Sequence, residues 1–427
     1  MTKFQIPKGT FDILPYGAEE PWQLSSLWSY AEDVIRCTAL EYGYREIRTP
    51  IYEQTELFNR GAGESSDIVM KEMFTFEDKG GRSMSLRPEG TSAVMRAFVE
   101  NNLSQLRPVH KLFYIAPMFR YDRPQAGRYR QHHQFGVEAI GVSNPAQDAE
   151  VIDLLCETYR RLGLKDLTVE LNSVGDVPSR IAFKEALQNY LRPHFQELSP
   201  DSQTRFEKNP LRILDSKDPK DREILKNAPS ILESLSESAK AHFDELRLLL
   251  DECSIAYHIN DRIVRGLDYY NKTVFEVTAK IAGAQNALGG GGRYDGLIGS
   301  FDGPDLPGVG FGTGIERILQ TMVSQNIPLP QEMRPLAYII PFGDEAKAPC
   351  FKLATACRHQ KIPAEIDLQS KKIQNGLQNA IKLSAKICVI IGSEELKKGV
   401  AQIKYLESRH QEEIPLDGLI SFLKEQL

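Results

Sequence analysis

The chain has 427 residues, 41% of them hydrophobic and 26% charged, a balance that excludes a wholly disordered or fibrous protein. That length implies two or three domains with room for a buried core. With 52 Lys+Arg against 58 Asp+Glu the net charge is −6, which does not mark a nucleic-acid binder. From Arg334 onward, however, 14 basic residues face 11 acidic ones, and a mildly basic tail permits a polyanionic partner. The longest apolar runs, Leu336–Pro341 and Ile387–Ile391, fall well short of the roughly 18–20 residues of a membrane helix. Met1–Thr10 carries lysines and no apolar stretch of the kind a secretory leader needs. A soluble, cytoplasmic protein without membrane contact is expected. Six cysteines (Cys37, Cys156, Cys253, Cys350, Cys357, Cys388) form no C-x-x-C pair and no ligand spacing with histidine, so reduced thiols and no structural zinc are expected.

Along the chain four textures follow one another. Residues 1 to about 171 combine a helical pattern at Trp22–Tyr42 with strand-like runs at His110–Phe119 and Gln131–Gly141. From about 176 to 252 the sequence is helical and charged, and strand and glycine-rich texture then resumes to about 322. The helical block therefore reads as an insertion within one domain. After Asn326-Ile-Pro-Leu-Pro-Gln331, the strand-like runs Leu336–Ile340, Pro363–Ile366 and Ile387–Ile391 alternate with helical stretches, the pattern of a small α/β domain. The expected domains are 1–328, interrupted at about 176–252, and 333–427.

Several segments carry residues fit for chemistry. Arg87-Pro88-Glu89-Gly90-Thr91 precedes a helical run; Thr91 suits a helix cap, and Glu89, held between proline and glycine, is a fixed carboxylate that suits an ammonium group. Val109–Gly141 reads as two strand arms joined by the basic loop Asp122–Arg128. Strand alternation puts Gln134, Gly136 and Glu138 on one face, with the glycine leaving room for a ligand, and Arg120 ends the outgoing arm, where its fork suits a phosphate. The same pattern also describes a solvated hairpin. Arg265-Gly-Leu-Asp-Tyr269-Tyr270 leads into an alternating run, Lys272–Ala279, with the adjacent tyrosines expected on opposite sides of the chain. Gly289–Gly292 permits close backbone approach and is equally a loose turn; it is neither a P-loop nor a dinucleotide fingerprint. Gly308–Gly314 runs into a helix with Ile315, Ile318, Leu319 and Met322 on one stripe. Arg317 stands in its first turn, suited to an anion or to plain solvent exposure.

Taken in order, these segments resemble the class II aminoacyl-tRNA synthetases and, among them, the histidyl-tRNA synthetase family. Tyr42–Arg60, with Arg48-Thr49-Pro50, is similar to the first class motif, used for dimerisation. Phe119-Arg120 with its loop and return strand is similar to the second, and Gly310–Arg317 to the third. Arg265–Tyr270, Gly291–Gly296 and, in the insertion, Lys208–Lys217 resemble segments particular to the histidyl family. The resemblance runs from Pro7–Asp12 to the tail.

The resemblance implies an α+β fold: a class II antiparallel-sheet catalytic domain with a helical insertion, then an α/β anticodon-binding domain. It also implies ATP-dependent formation of histidyl-adenylate and transfer of histidine to the 3′ end of tRNA(His) by a homodimer, with Mg²⁺ accompanying ATP. By the same resemblance Glu89, Thr91 and Gln134 hold the substrate ammonium beside Gly90. Glu138 and Tyr270 read the imidazole, next to Tyr269. Arg120 and Arg265 attend the α-phosphate, Arg317 the γ-phosphate, and Arg123, Gln125 and Arg128 the tRNA acceptor end. Histidyl-synthetase-like regulatory subunits of histidine biosynthesis are a rival reading, but they typically lose the catalytic arginines and the anticodon domain. Here all three arginines and about 90 residues after Pro335 are present. A synthetase for glycine, proline or threonine is disfavoured by Glu138 and Arg265–Tyr270.

Overall fold

A computed structural model describes residues 4–63, 66, 68–122, 127–208, 210–216, 218–263, 269–281, 284–329, 334–369 and 372–427. The chain divides into two compact units, Met1–Pro330 and Gln331–Leu427. In chain order the strands of the first are β1 (Arg45–Glu46), β2 (Tyr52–Gln54), β3 (Thr75–Glu77), β4 (Ser83–Leu86), β5 (His110–Phe119), β6 (Gln131–Ile140), β7 (Leu167–Ser173), β8 (Tyr257–Ile259), β9 (Asn271–Ile281), β10 (Ala284–Arg293) and β11 (Gly308–Gly314). Eight of them form one sheet in the order β1-β5-β6-β11-β10-β9-β7-β8. Its pairs are antiparallel except β1–β5 and β7–β8. The remaining three make a small sheet, β2-β4-β3.

The two faces of the large sheet differ because side chains alternate along each strand. Phe135, Val137 and Ala139 of β6, Val309 and Phe311 of β11, and Phe275 and Val277 of β9 point to one face. There they bury against helices Ser25–Glu41, Pro145–Arg161 and Ile315–Ser324. The opposite face carries Gln134, Gly136 and Glu138. Their register partners on β11 are Gly314, Gly312 and Gly310, and Gly312 and Gly310 in turn face Gly290 and Gly292 on β10. This face is thus floored by glycine, with helix Thr91–Glu100 and its cluster of Val94, Met95 and Phe98 closing one side.

The glycine run at 289–292 is therefore strand rather than loose turn, because β9 and β11 pair with it on both sides. The inserted block has a core of its own. That core takes residues from Val174 to Ile231 together with Ile263 and Val274, and Ser236 Oγ donates to Asp176 Oδ2 at 2.6 Å. The next helix, Glu237–Glu252, instead buries Phe243, Leu246 and Leu250 in the main core.

The second unit has β12 (Ala337–Phe342), β13 (Ala364–Ile366), β14 (Ile387–Gly392), β15 (Val400–Tyr405) and β16 (Gln411–Pro415), in the order β13-β12-β14-β15-β16. The first three are parallel, joined by helices Asp344–His359 and Ile373–Lys382. The last two add an antiparallel edge that the alternation of strands and helices did not reveal. Among the described residues no helix is long and apolar enough to cross a membrane.

Candidate active site

The site grows from a pinned turn. Arg87, 3% exposed, donates from Nε to Pro117 O at 2.9 Å and from Nη1 to Thr49 O at 3.0 Å, so two separate segments hold the start of Pro88–Thr91. Glu89 then turns its carboxylate onto the helix that follows, accepting from the backbone N–H of Thr91 (2.6 Å) and of Ser92 (2.9 Å). The cap of this helix is therefore supplied by Glu89, not by the Thr91 side chain, because Thr91 already lies inside the first turn with Gly90 at the N-cap. A carboxylate has about four lone-pair sites, so Glu89 retains acceptor capacity toward the floor.

The Thr91 side chain instead reaches the sheet, where its hydroxyl donates to Glu138 Oε1 at 2.8 Å. Glu138 is 1% exposed. Burial pushes its carboxyl up to about 8, hydrogen bonds from Tyr294 and Thr91 pull the other way, and the charge of Glu89 pushes up again. A buried carboxyl poised in this way suits a ligand that donates to it. Tyr294, absent from the expected site, donates its hydroxyl to Glu138 Oε2.

Gln134 lies two register positions away, its Oε1 buried with no partner among the described residues. An unpaired buried acceptor costs stability unless a ligand donor meets it. Tyr114 crosses the floor above Gly136, where a Cβ would meet its hydroxyl oxygen at 2.3 Å. Tyr269 and Tyr270 do not straddle the chain as expected. Their ring centroids are 4.6 Å apart, because regular strand begins only at Asn271. Tyr269 also meets Tyr294 edge-on at 5.8 Å.

Next to this polar pocket is a cleft of about 400 Å³ lined by Arg120, Arg128, His132, Gln134, Gly289, Gly290, Gly312, Gly314 and Arg317, with Glu72, Asp122, Glu276 and Glu316 among its carboxylates. Arg120 Nε donates to Pro88 O at 2.8 Å, which couples it to the pinned turn. Arg317 reaches back from its helix to Ala287 O at 2.7 Å and Gly127 O at 3.3 Å. Burial lowers the pKa of both guanidiniums from their usual range, although an arginine stays charged in any protein. The cleft thus presents the buried guanidiniums of Arg120 and Arg317 over a glycine floor, a setting for a polyphosphate. Arg128 pairs with Asp122 at 2.9 Å and is exposed. His132 was not anticipated; burial, with Arg120, His133 and Arg317 adding positive charge, pushes its imidazole down to about 3, so it is neutral at pH 7. Arg123, Gln125 and Arg265 lie outside the described residues.

Arg293, in the glycine-rich segment, turns away from the cleft. It is wholly buried and bonds Asp148 from Nε at 3.0 Å, while His242 Nε2 and the Thr273 hydroxyl engage the other carboxylate oxygen at 2.7 and 2.6 Å. This network anchors the end of β10 immediately before Tyr294. Only the pairing of distant strands reveals Tyr294 and Arg293 as partners of the site; within the sequence, their place in Gly289–Gly296 was the available signal.

Comparison with known proteins agrees with this geometry over the whole chain. The family described as histidyl-tRNA synthetase matches residues 21–318, and an anticodon binding domain matches residues 336–426. The chain is 56% identical over 422 residues to a histidine–tRNA ligase of Protochlamydia amoebophila, covering 99% of this chain and 100% of that one. It is 47% identical over 428 residues to one of Anoxybacillus flavithermus, covering 99% of each. The crystal structure of apo histidyl-tRNA synthetase from S. aureus aligns with a TM-score of 0.84 at 38% identity, covering 99% of this chain and 100% of that one. With its buried carboxylate pocket, its arginine-flanked cleft and a match along its full length, the chain belongs to the histidyl-tRNA synthetase family.

Proposed function

We propose that the pocket over the glycine floor binds L-histidine and the adjoining cleft binds ATP. The chain is a class II histidine–tRNA ligase: it activates histidine with ATP and transfers the histidyl group to tRNA(His). The substrate ammonium is met by Glu89, Thr91 and Gln134 beside Gly90, and the imidazole by Glu138 and Tyr270, with Tyr269 packed alongside. A neutral imidazole offers one donor and one acceptor, which a carboxylate and a phenol complement. A pocket that hydrogen-bonds a polar side chain can reject an analogue lacking it by roughly 10⁴–10⁵. The buried Glu138 on the same sheet face as Gln134 Oε1, which has no partner among the described residues, is the observation that carries this reading.

In the first step a substrate carboxylate oxygen forms a bond to the α-phosphorus and the bond to the bridging oxygen breaks, releasing pyrophosphate and leaving histidyl-adenylate. The nucleophile is already anionic, so no general base is needed; positioning and charge neutralisation supply the catalysis. Arg120 and Arg265 serve the α-phosphate and Arg317 the γ-phosphate. Mg²⁺ would enter bound to ATP; among the described residues no group of three or more His, Cys, Asp or Glu side chains is placed to hold a metal ion. Arg123, Gln125 and Arg128 serve the tRNA acceptor end, and the protein works in the cytoplasm. Homodimerisation through Tyr42–Arg60 is supported by exposed Ile51 and Tyr52, with Phe76 on the same small sheet.

ATP–pyrophosphate exchange with each amino acid in turn tests the reading. Exchange with histidine alone is expected. Exchange with another amino acid overturns the pocket assignment while keeping the class, and histidine binding without any exchange would favour a regulatory role.

A further inference from the structure

Glu138 receives two hydroxyl donors, from Thr91 on Oε1 and from Tyr294 on Oε2. Tyr294 is 2% exposed, and its backbone N–H donates to Gly308 O at 2.8 Å. The residue before it, Arg293, is locked by Asp148, His242 and Thr273. The phenol therefore has one place to point. We infer that Tyr294 is a positioning residue for amino-acid recognition, holding Glu138 as the acceptor that meets the substrate imidazole, with the Asp148–Arg293–His242 network holding Tyr294 in turn. This rests on the reading of Glu138 as the imidazole's partner.

A donor on Oε2 favours the ionised carboxylate and leaves its remaining lone pairs for the ligand. The titratable groups facing Glu138 are Glu89 at the helix start, Tyr114 on β5, Tyr44 ahead of β1, and Tyr269 with Tyr294. Of these, the charge of Glu89 opposes ionisation of Glu138. Removing the Tyr294 hydroxyl leaves that opposition less balanced, so the carboxyl of the variant titrates higher than that of the parent. The loss of histidine affinity should then be greatest below the parent's transition near pH 8 and shrink above it.

The test is Tyr294→Phe, which removes only the hydroxyl, followed by ATP–pyrophosphate exchange from pH 7 to 9.5. The expected result is a histidine KM raised about tenfold or more at pH 7, with the variant-to-parent ratio falling as pH rises and the KM for ATP unchanged. Taking that ratio at each pH cancels the titration of histidine itself. In a Glu138→Gln background the added Tyr294→Phe should change little, since the group it holds is gone. A ratio near one at every pH, with Glu138→Gln impaired, overturns the role of Tyr294 alone. A pH-independent ratio accompanied by an equal rise in the KM for ATP overturns it too, by showing general packing. Parent-like histidine affinity in Glu138→Gln instead sinks the reading of Glu138, and this inference with it.

Discussion

Replacing Gly312 by alanine is expected to leave the sheet standing and to disable histidine recognition. A Cβ at this position would lie 1.8 Å from Gln134 Nε2. Ordinary contact begins near 3.4 Å, so the amide must retreat by about 1.6 Å. The obstacle is the far end of a flexible side chain, so the strands need not separate, and the stability cost should sit near the lower end of the ~1–3 kcal/mol typical of overpacking. The displaced amide, however, no longer reaches the substrate ammonium. Losing one hydrogen bond to a charged group costs about 1.5–3 kcal/mol, roughly tenfold to a hundredfold in histidine KM. Gly310→Ala is the contrast: its Cβ would meet the backbone oxygen of Val137 at 2.1 Å, and that oxygen cannot swing aside. The assay is histidine-dependent exchange at saturating ATP, with Gln134→Ala as reference and the unfolding midpoint measured for each protein. Gly312→Ala should match Gln134→Ala in histidine KM, while Gly310→Ala should fall well below both in stability. An unchanged histidine KM in Gly312→Ala would refute the assignment of Gln134, and a fully stable Gly310→Ala would refute the register.

Other perturbations bear on separate parts of the structure. Glu138→Ala should abolish histidine-dependent exchange while ATP binding, followed by calorimetry, survives; unchanged exchange would remove the carboxylate from recognition. Asp148→Ala leaves the wholly buried Arg293 with Asp295 as its remaining ion-pair partner at 3.1 Å and should cost about 3 kcal/mol, the lower end for breaking a buried pair, in urea unfolding. Although burial alone would raise it, the hydrogen bond from His242 and the charge of Arg293 hold the Asp148 carboxyl below its usual range. Its contribution is therefore present at neutral pH and lost as pH falls below about 4 through the folded-state pKa, and Asp148→Asn should flatten stability over that acid range. A chain ending near residue 331 retains the cores of the first unit and should still form adenylate but charge tRNA poorly. Equal charging by the short and full chains would refute an anticodon role for the second unit.

Local periodicity determined much of this protein. Alternation along Gln131–Ile140 was enough to place Gln134, Gly136 and Glu138 together, and the 3.6-residue stripe after Gly314 was enough to place Arg317 in a first turn, because both rules act within a few residues. The ordered motifs likewise carried the family, and with it the ligands assigned to most of the pocket. Period could not determine which glycines lie opposite which side chains, since that depends on register between strands far apart in the chain. Nor could it show that Glu89 turns back onto its own helix or that helix Glu237–Glu252 leaves the insertion for the main core. The pairing of Tyr294 with Glu138 spans 156 positions, and that of Arg293 with Asp148 spans 145. Contacts at that separation leave no periodic trace in the intervening residues. Tertiary structure decided them, because a buried carboxylate is tolerated only where folding brings donors to it.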